Sequence, residues 1–168
     1  MRAAGEARPG TMAAVMGVDP DRVVALCAEA STAEEGAVAA NLNAPDQTVI
    51  SGDPAAVARA GALLKAAGAK RVLPLKVSGA FHSPLMEPPA REFAADLAGV
   101  ALRTPAFPVV ANASATPVST ADEARRLLAA QLTSPVRWIE GVSRLAEVAG
   151  AGVRFVELGP GTALTGLA

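Results

Sequence analysis

One cysteine, one histidine and no tyrosine stand among the 168 residues. The single cysteine, Cys27, allows no internal disulfide and no cysteine-based metal site. It falls on the apolar side of a predicted helix, which marks it as a packed, inert thiol. Aromatic residues make up only 3% of the chain. The core must therefore be assembled mainly from Ala, Val and Leu, with Phe81, Phe93, Phe107, Phe155 and Trp138 as its few large pieces. Charge of neither sign predominates: the net charge is -1, and no long Lys/Arg cluster occurs. A nucleic-acid binder needs a basic excess to neutralise phosphates, so nucleic acid is not an expected partner. No apolar run reaches the ~20 residues that span a bilayer, so no membrane partner is expected either. The first ten residues hold Arg2, Glu6 and Arg8 and no apolar h-region. No secretory leader is expected, and the cytoplasm is the expected compartment.

What is present is a globular composition, 51% hydrophobic and 18% charged. At this length it can fill one substantial core or two small ones. Residues 1–10 read as the end of a helix or a loop, broken by Gly5, Pro9 and Gly10. Thr-Met-Ala-Ala-Val-Met-Gly at 11–17 is an apolar run of strand length. Asp19-Pro20 supplies a cap and then proline at the first helical position. A helix is predicted over 20–30, with Val23, Val24 and Cys27 inward. Residues 37–42 and 48–51 are two further strands, joined into a hairpin by the turn chemistry of Asn43-Ala44-Pro45-Asp46. Asp53-Pro54 repeats the cap signal and opens a helix that reaches Ala67. Its inward face is Val57, Ala60, Leu64 and Ala67, and Gly68 is its stop. Val72, Leu73 and Leu75 mark a fourth strand over 71–77. The order β-α-β-β-α-β across 11–77 predicts a ferredoxin-like subdomain, with two helices covering one face of a four-stranded antiparallel sheet.

The rhythm changes after residue 77. A helix is predicted from Ser83, burying Met86, Phe93, Leu97 and Val100. Pro84, Pro88 and Pro89 belong to its first turns, since an interior proline costs about 3 kcal/mol. Residues 107–111 read as a strand and 112–119 as a loop of small residues. Thr120 caps a helix through Leu132, with Asp122 and Glu123 favourably placed in its first turn. Ser134 is the predicted cap of a helix over 135–149 that buries Trp138, Val142 and Leu145. A last strand over 153–158 turns at Gly159-Pro160-Gly161 into a short helix from Thr162. Alternating helices and strands predict an α/β layer for 78–168. The fold class is therefore α/β, with an α+β small subdomain.

Two stretches invite chemistry. Gly159-Pro160-Gly161-Thr162 offers N–H groups to an anion at the start of a helix. It lacks the Lys-Ser/Thr of a phosphate loop and the three-glycine dinucleotide pattern, so it reads as a structural turn. The second stretch is Val77-Ser78-Gly79-Ala80-Phe81-His82-Ser83-Pro84-Leu85-Met86, which carries the only histidine. It lies at a predicted strand-to-helix junction, where small residues let the backbone approach a ligand. An imidazole there is either a satisfied structural group or an acid–base group. Ser83 beside it reads as a helix cap.

Ser-Gly-Ala-Phe-His-Ser-Pro-Leu-Met closely resembles the histidine motif of malonyl-CoA:acyl carrier protein transacylases and the related acyltransferase domains of polyketide synthases. The resemblance extends over nearly all of the chain. It takes in Gly10-Thr11-Met12-Ala13-Ala14-Val15, Asn41-Leu42-Asn43-Ala44-Pro45-Asp46-Gln47 and Ala66-Ala67-Gly68-Ala69-Lys70-Arg71. It continues through Gln131-Leu132 with Pro135-Val136-Arg137-Trp138, and Glu157-Leu158-Gly159-Pro160-Gly161 with Leu164-Thr165-Gly166-Leu167. It implies that 78–168 is part of an α/β-hydrolase-like large subdomain. It also implies ping-pong transfer of a malonyl group from coenzyme A, through an acyl-serine, to the phosphopantetheine thiol of acyl carrier protein. Malonyl-CoA and acyl carrier protein are then the partners. The coenzyme A thioester is a substrate, and no tightly bound cofactor or metal is expected.

The resemblance also implies residue roles. His82 matches the general base and acid. Gln131 matches a residue whose backbone carbonyl holds the histidine N–H, in place of the carboxylate of a full triad. Asn43 and Gln47 match polar residues that line the cleft. Phe81 matches a bulky ring that leaves less room for an α-methyl branch. The residues alone leave other roles open: an exposed helix glutamine for Gln131, turn and strand-edge roles for Asn43 and Gln47, core packing for Phe81. One departure outweighs the rest. The family nucleophile is a serine in a Gly-His-Ser-Leu-Gly elbow upstream of the first strand, and no Gly-x-Ser-x-Gly occurs in these 168 residues. The glutamine-rich oxyanion loop and the arginine that pairs with the malonyl carboxylate are missing too. The chain is expected to be the C-terminal part of a transacylase, inactive alone. The other expectation is a non-catalytic module that binds a carrier protein or supports another chain.

Overall fold

Strand β1 (Thr11–Met16) runs through the middle of the first sheet. In this computed structural model, which describes residues 8–167, it pairs antiparallel with β3 (Gln47–Gly52) on one side and β4 (Arg71–Pro74) on the other. Strand β2 (Ala37–Ala44) pairs antiparallel with β3, so the order is β2-β3-β1-β4. That is the ferredoxin-like arrangement predicted from the element order. Alternation along β1 sends Ala13 and Val15 to one face and Met12 and Ala14 to the other. Ala13, Val15 and Ile50 pack against α1 (Pro20–Ala30) and α2 (Pro54–Ala66) through Val23, Cys27 and Leu64. Ile50, Val23 and Leu64 are fully buried. Each contributes about 1.5–3 kcal/mol by leaving water. The opposite face is covered by Leu75 and Phe81, which pack on Met12, Ala14, Ala40 and Val49.

The two Asp-Pro starts are not equivalent. Asp19 caps α1, accepting from the backbone of Asp21 at 2.9 Å and Arg22 at 3.3 Å. Asp53 holds the cap position of α2 but makes no side-chain cap bond. Its carboxylate instead accepts from Gly36 N–H at 2.9 Å and from the Arg8 guanidinium at 2.8 Å, which ties the strand β2 start to the helix. Val24 was expected inward and is 50% exposed, because the inward stripe is Val23, Leu26, Cys27 and Ala30. Ala67 is exposed for the same reason of phase: it follows α2 as its C-cap. Strand β4 ends at Pro74 and not at 77. One more bond follows, Leu75 N–H to Met12 O at 2.9 Å, before the chain leaves the sheet as the loop that carries His82.

After that loop Ser83 caps a 3-10 turn, Pro84–Met86, that leads directly into α3 (Glu87–Ala98). Met86 and Leu97 are buried, Phe93 is half-buried, and Val100 lies past the helix end and is exposed. The strand predicted over 107–111 is reduced to β5 (Val110–Ala111). It pairs with β6 (Thr116–Pro117), which lies inside the stretch predicted as a loop. Helix α4 (Ala121–Gln131) is capped by Thr120, which accepts from Glu123 N–H at 3.1 Å. The Glu123 carboxylate accepts from the backbone and the hydroxyl of Ser119, and those two bonds hold it below the ordinary carboxylate range.

Helix α5 spans Trp138–Ala149, three residues shorter at its start than predicted, and Ser134 does not cap it. The reason lies in Val136. Its N–H bonds Ala40 O and its carbonyl accepts from Leu42 N–H, both at 2.8 Å, so the backbone there is extended beside β2 and cannot begin a helix. Trp138, Val142 and Leu145 are half-buried, not buried. Residues 153–158 form no strand, because no neighbouring strand among the described residues pairs with them. The final turn is a 3-10 segment, Thr165–Leu167. No helix among the described residues is long and apolar enough to cross a membrane.

Candidate active site

The loop between β4 and α3 lies across the face of the sheet that the helices leave open. Gly10, just before β1, lets it come close. A Cβ on Gly10 would sit 2.6 Å from Ala80 Cβ and 2.8 Å from Ala80 N, so no other residue fits without moving the loop. Phe81 packs down onto Met12, Ala14, Ala40 and Val49. His82 then adopts φ +58, a left-handed backbone seen elsewhere among the described non-glycine residues only at Ala115. Such a conformation costs an L-residue roughly 1–2 kcal/mol and persists only where the surroundings enforce it. Ser83 returns to extended backbone and is fully buried. Its hydroxyl donates to Ala80 O at 2.7 Å and accepts from Leu85 N–H at 3.3 Å.

The consequence is the direction of the imidazole. His82 Nδ1 lies 3.0 Å from the carbonyl oxygen of Gln131. A carbonyl only accepts, so Nδ1 carries a proton, and in the neutral ring Nε2 presents its lone pair. The Gln131 side-chain amide is 3.4 Å from the same nitrogen. With Nδ1 protonated those two donors do not bond, and the amide donates to Ser134 O at 3.3 Å. Gln131 is the last residue of α4, where carbonyls have no partner within the helix. The orienting acceptor is thus a free helix-end carbonyl, at the negative end of the helix dipole.

Several contacts hold α4 in place. Arg125 donates to the carbonyls of Leu97 and Val100, at the C-terminal end of α3. The extended Val136 fastens the following segment to β2, and Arg137 N–H bonds Asn112 O at 3.0 Å. Beside Gln131 runs a groove of about 300 Å³, lined by Val109, Asn112, Val118, Leu127 and Leu128 among others. It is mostly apolar, with Asn112 and Gln131 as its polar groups.

The other residues singled out by sequence fall in different places. Asn43 and Gln47 are half-buried on the β2-β3 hairpin, and Gln47 pairs with Ala44 and Met16 at the hairpin's turn end. Neither side chain bonds His82 or Gln131 among the described residues. Phe81 is brought to the site by sequence adjacency, and its ring is committed to the core beneath the loop. Just after the Gly159–Thr162 turn, the amides of Leu164 and Thr165 are taken by the Glu157 carboxylate at 3.1 and 2.9 Å. Cys27 is buried in the first core, and burial pushes its thiol up to about 12. No cluster of three or more His, Cys, Asp or Glu suited to a metal ion occurs among the described residues. Sequence reasoning missed the close approach at Gly10 and the strand-like docking of Val136. The small residue before β1 was the one available signal for the first, and Pro135 the one for the second.

The acyl transferase domain family matches residues 3–166, nearly the whole length. The chain belongs to this family. It is 44% identical over 161 residues to the malonyl CoA-acyl carrier protein transacylase of Escherichia coli, a match that covers 94% of this chain and 50% of that protein. The fold agrees with the malonyl CoA-acyl carrier protein transacylase of Coxiella burnetii at a TM-score of 0.90 and 37% identity, covering 98% of this chain and 52% of the other. A malonyl-transacylase solved in complex with a type II polyketide acyl-carrier protein gives a TM-score of 0.91 at 40% identity, covering 98% and 53%. The chain spans about half the length of the curated relatives it matches.

Proposed function

We propose that this chain supplies the histidine half of a malonyl-CoA:acyl carrier protein transacylase. The complete domain moves a malonyl group from coenzyme A to the phosphopantetheine thiol of acyl carrier protein, in fatty acid or polyketide synthesis. The observation that carries this reading is the 3.0 Å contact between His82 Nδ1 and the Gln131 carbonyl. It favours the tautomer a general base needs, and Nε2 has no partner among the described hydrogen bonds. A serine Oγ attacks the thioester carbonyl and gives its proton to Nε2. The C–S bond breaks, and the imidazolium returns the proton to the departing thiolate of coenzyme A. In the second half the phosphopantetheine thiol gives its proton to Nε2 and attacks the acyl-serine, and the serine oxygen takes that proton as it leaves. Each imidazolium is transient, and the helix-end carbonyl of Gln131 stabilises it.

On this reading 11–77 is the small subdomain and 78–168 the C-terminal part of the hydrolase-like large one. Asn43 and Gln47, which have no side-chain partners among the described hydrogen bonds, serve as polar contacts of the cleft. Phe81, half-buried and adjacent in sequence to His82, limits the room beside the acyl group. No resident cofactor takes part, and the setting is cytoplasmic. The nucleophile comes from an upstream half with the Gly-His-Ser-Leu-Gly elbow. Ser83 is no substitute, since its hydroxyl is fully buried and engaged. Labelled malonyl-CoA therefore leaves no covalent label on this chain alone. Label appears on serine when the elbow-bearing half is joined upstream. Stable labelling of the chain alone, at Ser83 or Cys27, contradicts the reading.

A further inference from the structure

Ser83 is the only polar residue of the 77–86 loop that is fully buried. Its hydroxyl bond to Ala80 O, at 2.7 Å, closes a ring of four residues around Phe81 and His82. The same oxygen accepts from Leu85 N–H, so both of its capacities are used locally. A cap for the Pro84–Met86 turn requires only the second of these bonds. The first reaches backward, across the residue with φ +58. On the far side of Ala80, Gly10 leaves no space for the loop to move toward β1. Ala80 is thus held by a hydroxyl from one side and by the sheet from the other.

The geometry points to Ser83, with Gly10 beneath the loop, as the positioning residue of His82. The Ser83–Ala80 bond keeps the turn closed, the closed turn keeps residue 82 left-handed, and that backbone aims Nδ1 at the Gln131 carbonyl. With φ at its usual negative value the Cα–Cβ bond points elsewhere, and the 3.0 Å contact is lost. Ser83 touches no reacting atom and acts through the imidazole. This inference rests on the reading of His82 as the acid–base group.

The only histidine of the chain makes a direct test possible. Imidazole nitrogen resonances of the ¹⁵N-labelled full chain, recorded at alkaline pH, report the tautomer without assignment. The wild type shows one tautomer, Nδ1 protonated and Nε2 bare, with a slowly exchanging Nδ1 proton. Ser83→Ala gives a mixture of tautomers and loses the slow proton. Ser83→Thr, which keeps the donor, retains the wild-type spectrum. Gly10→Ala, which pushes on Ala80 from the other side, shifts the spectrum in the same direction as Ser83→Ala, and provides the reading if the alanine at 83 does not fold. In the complete domain Ser83→Ala lowers kcat about tenfold or more, with KM for malonyl-CoA little changed. A Ser83→Ala chain that melts earlier but keeps the wild-type tautomer would overturn the proposal and leave Ser83 a cap. So would an unchanged kcat for Ser83→Ala in a domain that His82→Ala impairs. If His82→Ala itself keeps full activity while the tautomer responds to Ser83→Ala, the catalytic reading fails and the positioning geometry stands.

Discussion

At the scale of single residues, burial and hydrogen bonding decide which side chains are available to reagents. Ser83 and Cys27 are nucleophiles by type, but neither is available. The Ser83 hydroxyl is engaged twice, and desolvation raises the Cys27 thiol to about 12. The reactive thiolate is therefore scarce at neutral pH. The folded chain at pH 8 is expected to resist alkylation by iodoacetamide, and to react only on addition of denaturant. Rapid modification of the native chain would show that Cys27 is reached without unfolding. His82 differs because it is half-buried and only its Nδ1 is engaged among the described hydrogen bonds. The motif around His82 was legible in the sequence as a pattern of residue types. Its left-handed backbone was not, because φ depends on what Gly10 and Ser83 impose from outside the residue.

At the scale of elements, the order of the first sheet was legible because its strands and helix starts carry local sequence signals. Alternation places Ala13 and Val15 opposite Met12 and Ala14, and Asp19 caps its own helix. Identical local signals diverged only where a distant group intervened, as when Gly36 and Arg8 took the carboxylate of Asp53. The second half was less legible for the same reason. Val136 is extended because β2 offers it partners, and 153–158 is unpaired because none does. The last turn hangs on Glu157. The Thr165 hydroxyl, then the Thr165 and Leu164 amides, hold its carboxylate below the ordinary range. A depressed folded value stabilises above the unfolded value of about 4.3 and is lost as pH falls through the folded value. Amide shifts of Leu164 and Thr165 should thus be constant from neutrality down to about that value, and move together below it. Glu157→Gln should abolish the transition. Shifts that titrate unchanged in the variant would assign the effect elsewhere.

At the scale of the molecule, the two halves differ in how completely they satisfy themselves. The first sheet has a core on both faces. The second half exposes Phe107 at 71%, Val156 at 63% and Leu158 at 91%. Among the described residues, no backbone hydrogen bond holds 153–158. Hydrogen exchange should therefore be slower across 11–77 than across 107–158. The reverse order would remove the basis for dividing the chain near residue 77. The relatives carry about as much chain again as the match covers. The central claim is that His82 performs proton transfer and does not merely pack. It is tested in the complete domain by measuring malonyl transfer and melting temperature for His82→Ala and Gln131→Ala side by side. His82→Ala should cut transfer roughly 10²–10⁴-fold with little change in melting. Gln131→Ala should cost much less, because the orienting group is a backbone carbonyl that alanine retains. A His82→Ala domain that transfers at near the full rate but melts early would contradict the account.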